Sequence, residues 1–537
     1  MTVSITSNLT QIDSCDANTG WSDGTAYSGF QREGSACLGD QISTSASYFT
    51  KTISSTNVSN SIIYIWMKLA SPETQANGGY RFVLGDGTNQ RGYYVGGSDA
   101  EAFSRQGWFR FILDTSNPPT SYDQIAGSSE PNFSAITLIG VGGLQATKAV
   151  GNSPNFFWDS IDYVANDTYA LLIGGGTSGD PGVFSEIVAE DASTTNGWGI
   201  VRELQAGVYG AQGALRFGDA GTSDSYFEDK DAVLVFENPV VPITDTYYVF
   251  DLVGNSTGTN SFVLGNKVGS GDTAVGSNGC TIQSAGPGVL VKLDATNFNT
   301  INIYGCKFYK IANGITLSSS SSHEFIGNTV DQCGIVSLAQ PIIRNCVFSG
   351  TTHLTTSGSA VLWNDNVNIK NCSFNANTNT SLHAIQHPAS GVFDYDGLTF
   401  IGNDYDIYNY VVPSGNITVN ALNGANPGTW DTIGGWVDII NAVLITITLE
   451  DAAGNPVPSG RVGVYRQSDN AALMLEYATA AGIAQESYNY TGDTNIYVRV
   501  RKSSPGSTRY LPYLTTGTIT SAGYTLSAVL IEDTVAQ

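Results

Sequence analysis

An all-β protein of several units is the fold class this sequence predicts, on three observations. Apolar residues alternate with period two through much of the chain, 61 Gly and 17 Pro punctuate its 537 residues, and a six-residue frame recurs through the middle. The length exceeds one ordinary domain. The pattern shifts predict an N-terminal β-sandwich over 1–165, a repeat region over 166–435 and a second β-sandwich over 436–537.

Residues 1–165 read as antiparallel strands joined by turn clusters such as GDGTNQRG and SNPPTSY. Ile63, Ile65, Met67 and Leu69 share one face of a strand, with Tyr64, Trp66 and Lys68 on the other. Phe109, Phe111 and Leu113 repeat the alternation, and Phe156–Tyr163 is the expected closing strand. The order of turns is similar to that of lectin-like, carbohydrate-binding jelly rolls. Tyr64, Trp66, Tyr93 and Trp108 are the aromatics that could stack on sugar rings there, although core or interface packing is their expected role.

The repeat is the most specific signal. IYGCKF (303–308), FIGNTV (325–330), IRNCVF (343–348), IKNCSF (369–374) and YDGLTF (395–400) share one frame. Its Gly/Asn column is Gly305, Gly327, Asn345, Asn371 and Gly397, at spacings of 22, 18, 26 and 26. GCTI at 279–282 fits 26 residues earlier, and NITV at 416–419 fits more weakly 19 later. Cys306 and Phe308 are two apart and share a strand face, whereas Ile303 has the wrong parity for that strand. A corner must intervene at the Gly/Asn column, where those residues tolerate positive φ. Short strands meeting at such corners resemble the right-handed parallel β-helix of pectate lyases and of many phage tailspikes. The resemblance spans about 170–430 and is strongest over 279–400, with GIVRELQAGVYGAQGALRF opening the coil. It implies that Cys306, Cys346, Cys372 and Cys280 stack inside as small apolar filler. It also implies an outward column of Arg344, Lys370 and Asp396 at the corner, with Lys370 and Asp396 on adjacent strands roughly 5 Å apart.

In the last segment Val443, Ile445, Ile447 and Leu449 share a strand face, followed by a Gly454/Pro456 turn and by Val462 and Val464. Ile496, Val498 and Val500, then Leu526, Ala528 and Leu530, mark later strands. The strand followed by Asp451, Gly454, Pro456 and Val457 resembles the opening of transthyretin-like and carboxypeptidase-regulatory-like sandwiches, an Ig/transthyretin-like β-sandwich. AALMLEYATAA, the one helix-like run, is expected to be a strand and turn ending at Gly482.

Composition narrows the function classes. The 47 acids and 23 bases leave a net charge of −24, and charged residues are 13% of the chain against a usual ~25%. Clustered cations are scarce, so nucleic acid is not an expected partner. No apolar run approaches the ~18 residues of a spanning helix, so no membrane insertion is expected. The opening MTVSITSNLTQIDS has no basic start and no apolar core, which predicts no signal peptide. Seven cysteines without a CxxC pair, and four histidines of which only His383 and His387 are close, predict no metal site and no cofactor.

The chemistry-bearing candidates are few. Enzymes built on a β-helix display carboxylates on one outer sheet, paired for hydrolysis or joined to a basic residue for lyase chemistry. Asp394, Asp396 and Lys370 are the catalytic candidates, with Asp404 and Asp406 as a second acid pair. A solvated ion-pair ladder is the simpler role for Lys370 and Asp396. The Asp-Asp and Gly-His-Gly blocks of polygalacturonase-type hydrolases are missing. The expected function is non-enzymatic: a structural protein on a tailed-phage virion surface, in a head decoration, tail fibre or tailspike, made in the host cytoplasm. The expected partners are two further copies in a homotrimer, other capsid or tail proteins, and a host surface glycan. A polysaccharide-degrading tailspike and a carbohydrate-binding adhesin are the alternatives.

Overall fold

The computed structural model describes residues 3–534, except 30, 43–44, 70–74, 95–107, 146–153, 155, 166–167, 178, 192–197, 219–225, 237–249, 254–259, 268–278, 285–290, 296, 312–313, 318–322, 339–341, 351–358, 364–367, 376–382, 491 and 504–507. The protein is all-β. Among the described residues one α-helix, Phe184–Asp191, and one 3-10 turn, Phe133–Ala135, are the only helical elements. The chain divides into two compact units, 1–324 with 328–336 and 325–327 with 337–537.

The first unit begins with two antiparallel sheets. One runs in the order Thr25–Tyr27, Cys37–Asp40, Phe156–Ala165, Ser61–Leu69, Phe109–Asp114. The other runs Tyr122–Ala126, Gln90–Tyr94, Gln75–Gly85, Ile136–Gln145, Ser47–Thr56. Alternation drives one face of each into a shared core, where Ile63, Ile65 and Met67 meet Phe82, Leu84, Val141 and Trp158. Phe49 stacks on Trp158 at 4.9 Å between ring centroids. Tyr64 and Trp66, on the opposite face, are also buried. Later chain covers them, so that a Cβ on Gly199 would lie 2.1 Å from the Trp66 ring and one on Gly213 would lie 2.8 Å from the Tyr64 hydroxyl.

The rest of that unit is ladders of short parallel strands. Leu171–Gly175, Leu215–Phe217, Phe250–Leu252, Val291–Leu293 and Ile315–Leu317 form one ladder. Val208–Ala211, Val233–Phe236, Thr281–Ser284, Lys307–Tyr309 and Thr329–Asp331 form a second. Tyr226–Asp229, Ser261–Gly265 and Thr300–Tyr304 form a third. From Leu215 onward the chain visits the three in rotation, each strand pairing with the one three elements later. Val3–Ser7 pairs antiparallel with Leu171–Gly175, and so closes the edge of the first ladder. In GIVRELQAGVYGAQGALRF the first pair, Val201–Gln205 with Val208–Ala211, is antiparallel, and parallel pairing begins after it. The eight-residue helix was not legible in the sequence. A helix that short is marginal alone, and its first turn is capped by a distant carboxylate, the Phe184 N–H donating to Asp229 at 2.9 Å.

The second unit repeats the rotation. Ile342–Arg344, Asn368–Lys370, Gly391–Asp396, Ile417–Leu422 and Val437–Asn441 are one parallel ladder. Val347–Ser349, Ser373–Asn375 and Thr399–Ile401 are another, and Ser359–Trp363, His383–His387, Ile407–Asn409 and Trp430–Thr432 the third. Phe348, Phe374 and Phe400 fall in register, with ring centroids 5.0 and 5.2 Å apart and planes within 11°, close to the strand spacing. Strand Val437–Asp451 does not stop at the last ladder. From Ala442 it pairs antiparallel with Ile483–Asn489, and from Ile445 parallel with Tyr524–Leu530. It faces a four-stranded sheet ordered Ala472–Tyr477, Arg461–Arg466, Thr494–Lys502, Tyr510–Ile519. Ile445, Ile447, Leu449, Val462, Val464, Ile496, Val498 and Val500 share that core. Asp451 organises the expected turn by accepting from the N–H groups of Ala453 and Asn455, with Gly454 at φ +82°.

The corners are left-handed. In the second unit φ is +67° at Gly327, +53° at Asn345, +52° at Asn371, +66° at Gly397 and +51° at Asn423. Successive corners are bonded to each other, the N–H groups of Asn345, Asn371 and Gly397 donating to the carbonyls of Lys370, Asp396 and Leu422. In the first unit Gly305 has φ +61°. The fit of NITV is corrected: Ile417 pairs with Gly391, so the next corner is Asn423, 26 residues after Gly397. Replacing Asn371 with Val puts a β-branched side chain where φ is positive and should cost about 1–2 kcal/mol. Gly397→Val should cost more, because even its Cβ would lie 2.3 Å from the Asn371 Oδ1. Urea unfolding checks both, and parental midpoints would contradict the corner geometry.

Candidate functional site

The catalytic candidates Lys370, Asp394 and Asp396 do converge on one outer face of the second unit. Arg344, Lys370 and Asp396 occupy successive register positions just before the corner. Lys370 Nζ lies 2.7 Å from Asp396 Oδ2, with the lysine side chain 44% exposed and the aspartate 15%. Strand Gly391–Asp396 buries Phe393 and Tyr395 and turns Val392, Asp394 and Asp396 outward. Asn423 donates to Asp396 Oδ1 at 2.5 Å, and Asn420 donates to Asp394 Oδ1 at 2.7 Å. Arg344 departs from the expected outward column. It is buried at 4% exposure, and its Nη1 donates to the Ile343 carbonyl.

This arrangement is poorly suited to acid–base catalysis. Asp394 and Asp396 are two residues apart on one face, about 6.6 Å at the backbone, a separation that could serve paired carboxylates. A general acid, however, needs a raised pKa. Partial burial pushes Asp396 up, but the Asn423 hydrogen bond and the Lys370 ion pair, with Arg344 further off, outweigh it and hold the carboxyl below its usual value. Lys370 is tied into the same pair. The second acid pair is split: Asp404 is exposed, whereas Asp406 is buried and accepts from the backbone N–H groups of Gly428 and Thr429. Asp406 therefore fastens a loop.

His383 and His387 are packing groups. Four residues along a strand put His383 and His387 about 13 Å apart, too far to share an ion. His383 stacks on Tyr408 at 4.4 Å, and His387 Nε2 lies 2.8 Å from the Tyr395 hydroxyl in a fully buried site that lowers its pKa to about 3. Among the described residues no group of three or more His, Cys, Asp or Glu could hold a metal ion. All seven cysteines are free and buried. Cys280 and Cys306 stack with sulfurs 3.8 Å apart, and that contact, together with burial, raises the Cys280 thiol. Of the aromatic candidates in the N-terminal sheets, Tyr64, Trp66 and Tyr93 are buried and unavailable to a sugar, while Trp108 is half-buried.

Sequence reasoning missed a buried ionic cluster in the first unit. Asp159 and Asp162 are three residues apart and would face opposite sides of a regular strand. A bulge at Ser160, where φ is +27°, brings both behind Tyr64 and Trp66. Arg110 reaches Asp162 at 2.8 Å and Glu33 at 3.2 Å, and Trp66 donates to Glu33 at 2.7 Å. Asp159 accepts from the N–H groups of Arg32 and Glu33, and Asp191 from those of Gly199 and Val201. Desolvation raises Asp159 to about 7 and Asp162 and Asp191 to about 6. The only sequence signal was the odd spacing of two acids in an otherwise apolar strand.

Comparison with known proteins found no family model that matches this chain and no curated protein similar to it. Among the described residues no helix is long and apolar enough to cross a membrane.

The buried cluster sets a pH response. Between the unfolded carboxyl value of about 3.9 and the raised folded values, the folded state holds protons that the unfolded state has released. Its stability therefore rises as pH falls from 7 toward 4. Asp229, raised to about 6 by burial, and Asp251, raised by burial, act in the same sense in this unit, and His323, lowered mainly by burial, opposes them below about pH 6.5. The urea midpoint of the first unit should be higher at pH 5.5 than at pH 7.5. Asp159→Asn should flatten that difference whatever it does to absolute stability. A midpoint that falls on acidification would show that these carboxylates stay ionised.

Proposed function

We propose that this chain is a non-enzymatic structural protein of a tailed-phage virion surface, in a head decoration, tail fibre or tailspike. In this reading 166–435 form a right-handed parallel β-helix. An N-terminal jelly-roll-like sandwich over 1–165 and a C-terminal Ig/transthyretin-like sandwich over 436–537 complete the chain. The observation that carries the reading is the rotation of short parallel strands through three ladders, each pairing with the strand three elements later. That is the connectivity of a coil whose every turn has three sides.

Other features fit the same role. Seven reduced, buried cysteines suit a protein made in a reducing cytoplasm. The scarcity of charge suits burial against like subunits. In the second unit, Tyr410 and Val412 lie on a turn adjacent to Ile433 and Trp436, and all four are exposed, Val412 at 65% and Trp436 at 60%. Apolar groups so displayed suit contact with further copies or with another particle protein. A closed threefold assembly is the reading favoured here.

Light scattering tests the assembly: three chains of 56.7 kDa give a mass of about 170 kDa. A 57 kDa species persisting at micromolar concentration would count against the trimer. Immunogold labelling of purified particles tests location, and particles that carry no label would remove the virion reading.

The Lys370–Asp396 pair is the one feature that leans toward a tailspike-type lyase or hydrolase. Asp396→Ala should leave host attachment intact and change stability by no more than about 0–1 kcal/mol, as for an exposed pair. Capsule or lipopolysaccharide depolymerisation that disappears in this variant would favour the enzyme instead.

A further inference from the structure

One face of the C-terminal four-stranded sheet carries a charge pattern that its own fold does not use. Val462, Val464, Val498 and Val500 point into the core, so alternation turns Arg461, Gly463, Tyr465, Tyr497, Arg499 and Arg501 outward. Arg461 is paired directly with Arg501, and Arg499 sits opposite Gly463 in the next row of that face. Like charges directly opposed on neighbouring strands are destabilising. Among the described residues no carboxylate forms an ion pair with any of the three. In a chain of net charge −24 with 23 basic residues, this cluster runs against the general field.

The surroundings add shape and stacking surface. Gly463 contributes no side chain, and with Arg461, Tyr465, Leu475, Arg499 and Arg501 it lines an open depression of about 190 Å³. Tyr465 folds toward that notch, since a Cβ on Gly463 would meet its ring at 2.7 Å. Tyr465 stacks on Tyr497 at 5.1 Å and 17°, and the Arg499 guanidinium lies 5.0 Å from the Tyr497 centroid. Tyr477, beside Arg461 on the edge strand, is 64% exposed.

We infer that this face binds an acidic polysaccharide, one carboxylated sugar unit seated in the depression and the flanking units running across the sheet. Guanidinium forks match carboxylates in bidentate geometry, and exposed tyrosines offer flat apolar surface to sugar rings. The depression is smaller than the ~300–1,000 Å³ of pockets that engulf a small molecule, which suits a chain lying on the surface. Nucleic acid fits less well, since phosphate tracking calls for longer runs of cations than three residues. The inference rests on the reading of the chain as a surface protein and supplies the chemical class of its glycan.

The test is affinity electrophoresis of the full chain through gels containing polygalacturonate, alginate or polysialic acid, with dextran as the neutral control. At least one acidic polymer should retard the protein, dextran should not, and 0.5 M salt should abolish the retardation. Arg461→Gln/Arg499→Gln/Arg501→Gln should weaken retardation at least tenfold. Tyr477→Ala, which leaves the charge intact, should weaken it several-fold. Circular dichroism and urea midpoints close to the parent's would confirm that the exposed substitutions leave the fold in place. No retardation by any of the three polymers, retardation unchanged in the triple variant, or tighter binding of a single-stranded DNA oligonucleotide would each overturn the inference. Particle labelling is measured separately, so a virion protein that fails these gels loses this site and keeps its proposed location.

Discussion

Everything in the repeat region depends on where the backbone is allowed to turn. A strand of three to six residues can stack on its counterpart only if every repeat bends at the same register position. An L-residue bends there only by entering the left-handed region, which Gly enters freely and Asn at small cost. Gly327, Asn345, Asn371, Gly397 and Asn423 meet that demand in the second unit, and Gly305 meets it in the first. Because the N–H groups of Asn345, Asn371 and Gly397 each donate to a carbonyl at the next corner, these bends also keep their own polar groups satisfied.

Register at the corner decides what the interior holds. Phe348, Phe374 and Phe400 stack with nearly parallel planes because they occupy equivalent places after equivalent turns. Cys346 and Cys372 follow the corner directly, and the Cys346 N–H points at the Cys372 sulfur at 3.4 Å. A thiol is small enough for the tight inside of a bend and apolar enough to be buried there. The same regularity on the outside makes ladders. Lys370 beside Asp396 and Asn420 beside Asp394 are neighbours by register, so they pair without any cleft being built around them.

Charge is distributed with a different logic. Where carboxylates are buried, as around Arg110, backbone N–H groups and one guanidinium hold them, and desolvation keeps their proton affinity high. Where guanidiniums cluster on the C-terminal sheet, no acid meets them among the described residues. The first arrangement is closed within the fold, and the second is open to a ligand.

The sequence alone determined the all-β class, the alternating core faces from Ile63 to Met67 and from Ile445 to Leu449, and the corners at Asn345, Asn371 and Gly397. Each of these is local, set by period-two alternation or by one residue's tolerance of positive φ. It also placed Lys370 next to Asp396, because a repeat length of 26 converts sequence distance into register. Other features lay beyond it. The helix Phe184–Asp191 depends on a cap from Asp229, 45 residues away. Asp159 and Asp162 share a side only because a bulge at Ser160 breaks the strand's parity. Tyr64 and Trp66 are buried because chain near Gly199 and Gly213 folds over them. The arginine face exists only because sheet order brings residue 461 beside residue 501. Those are long-range pairings, and no local pattern encodes which distant strand will become a neighbour.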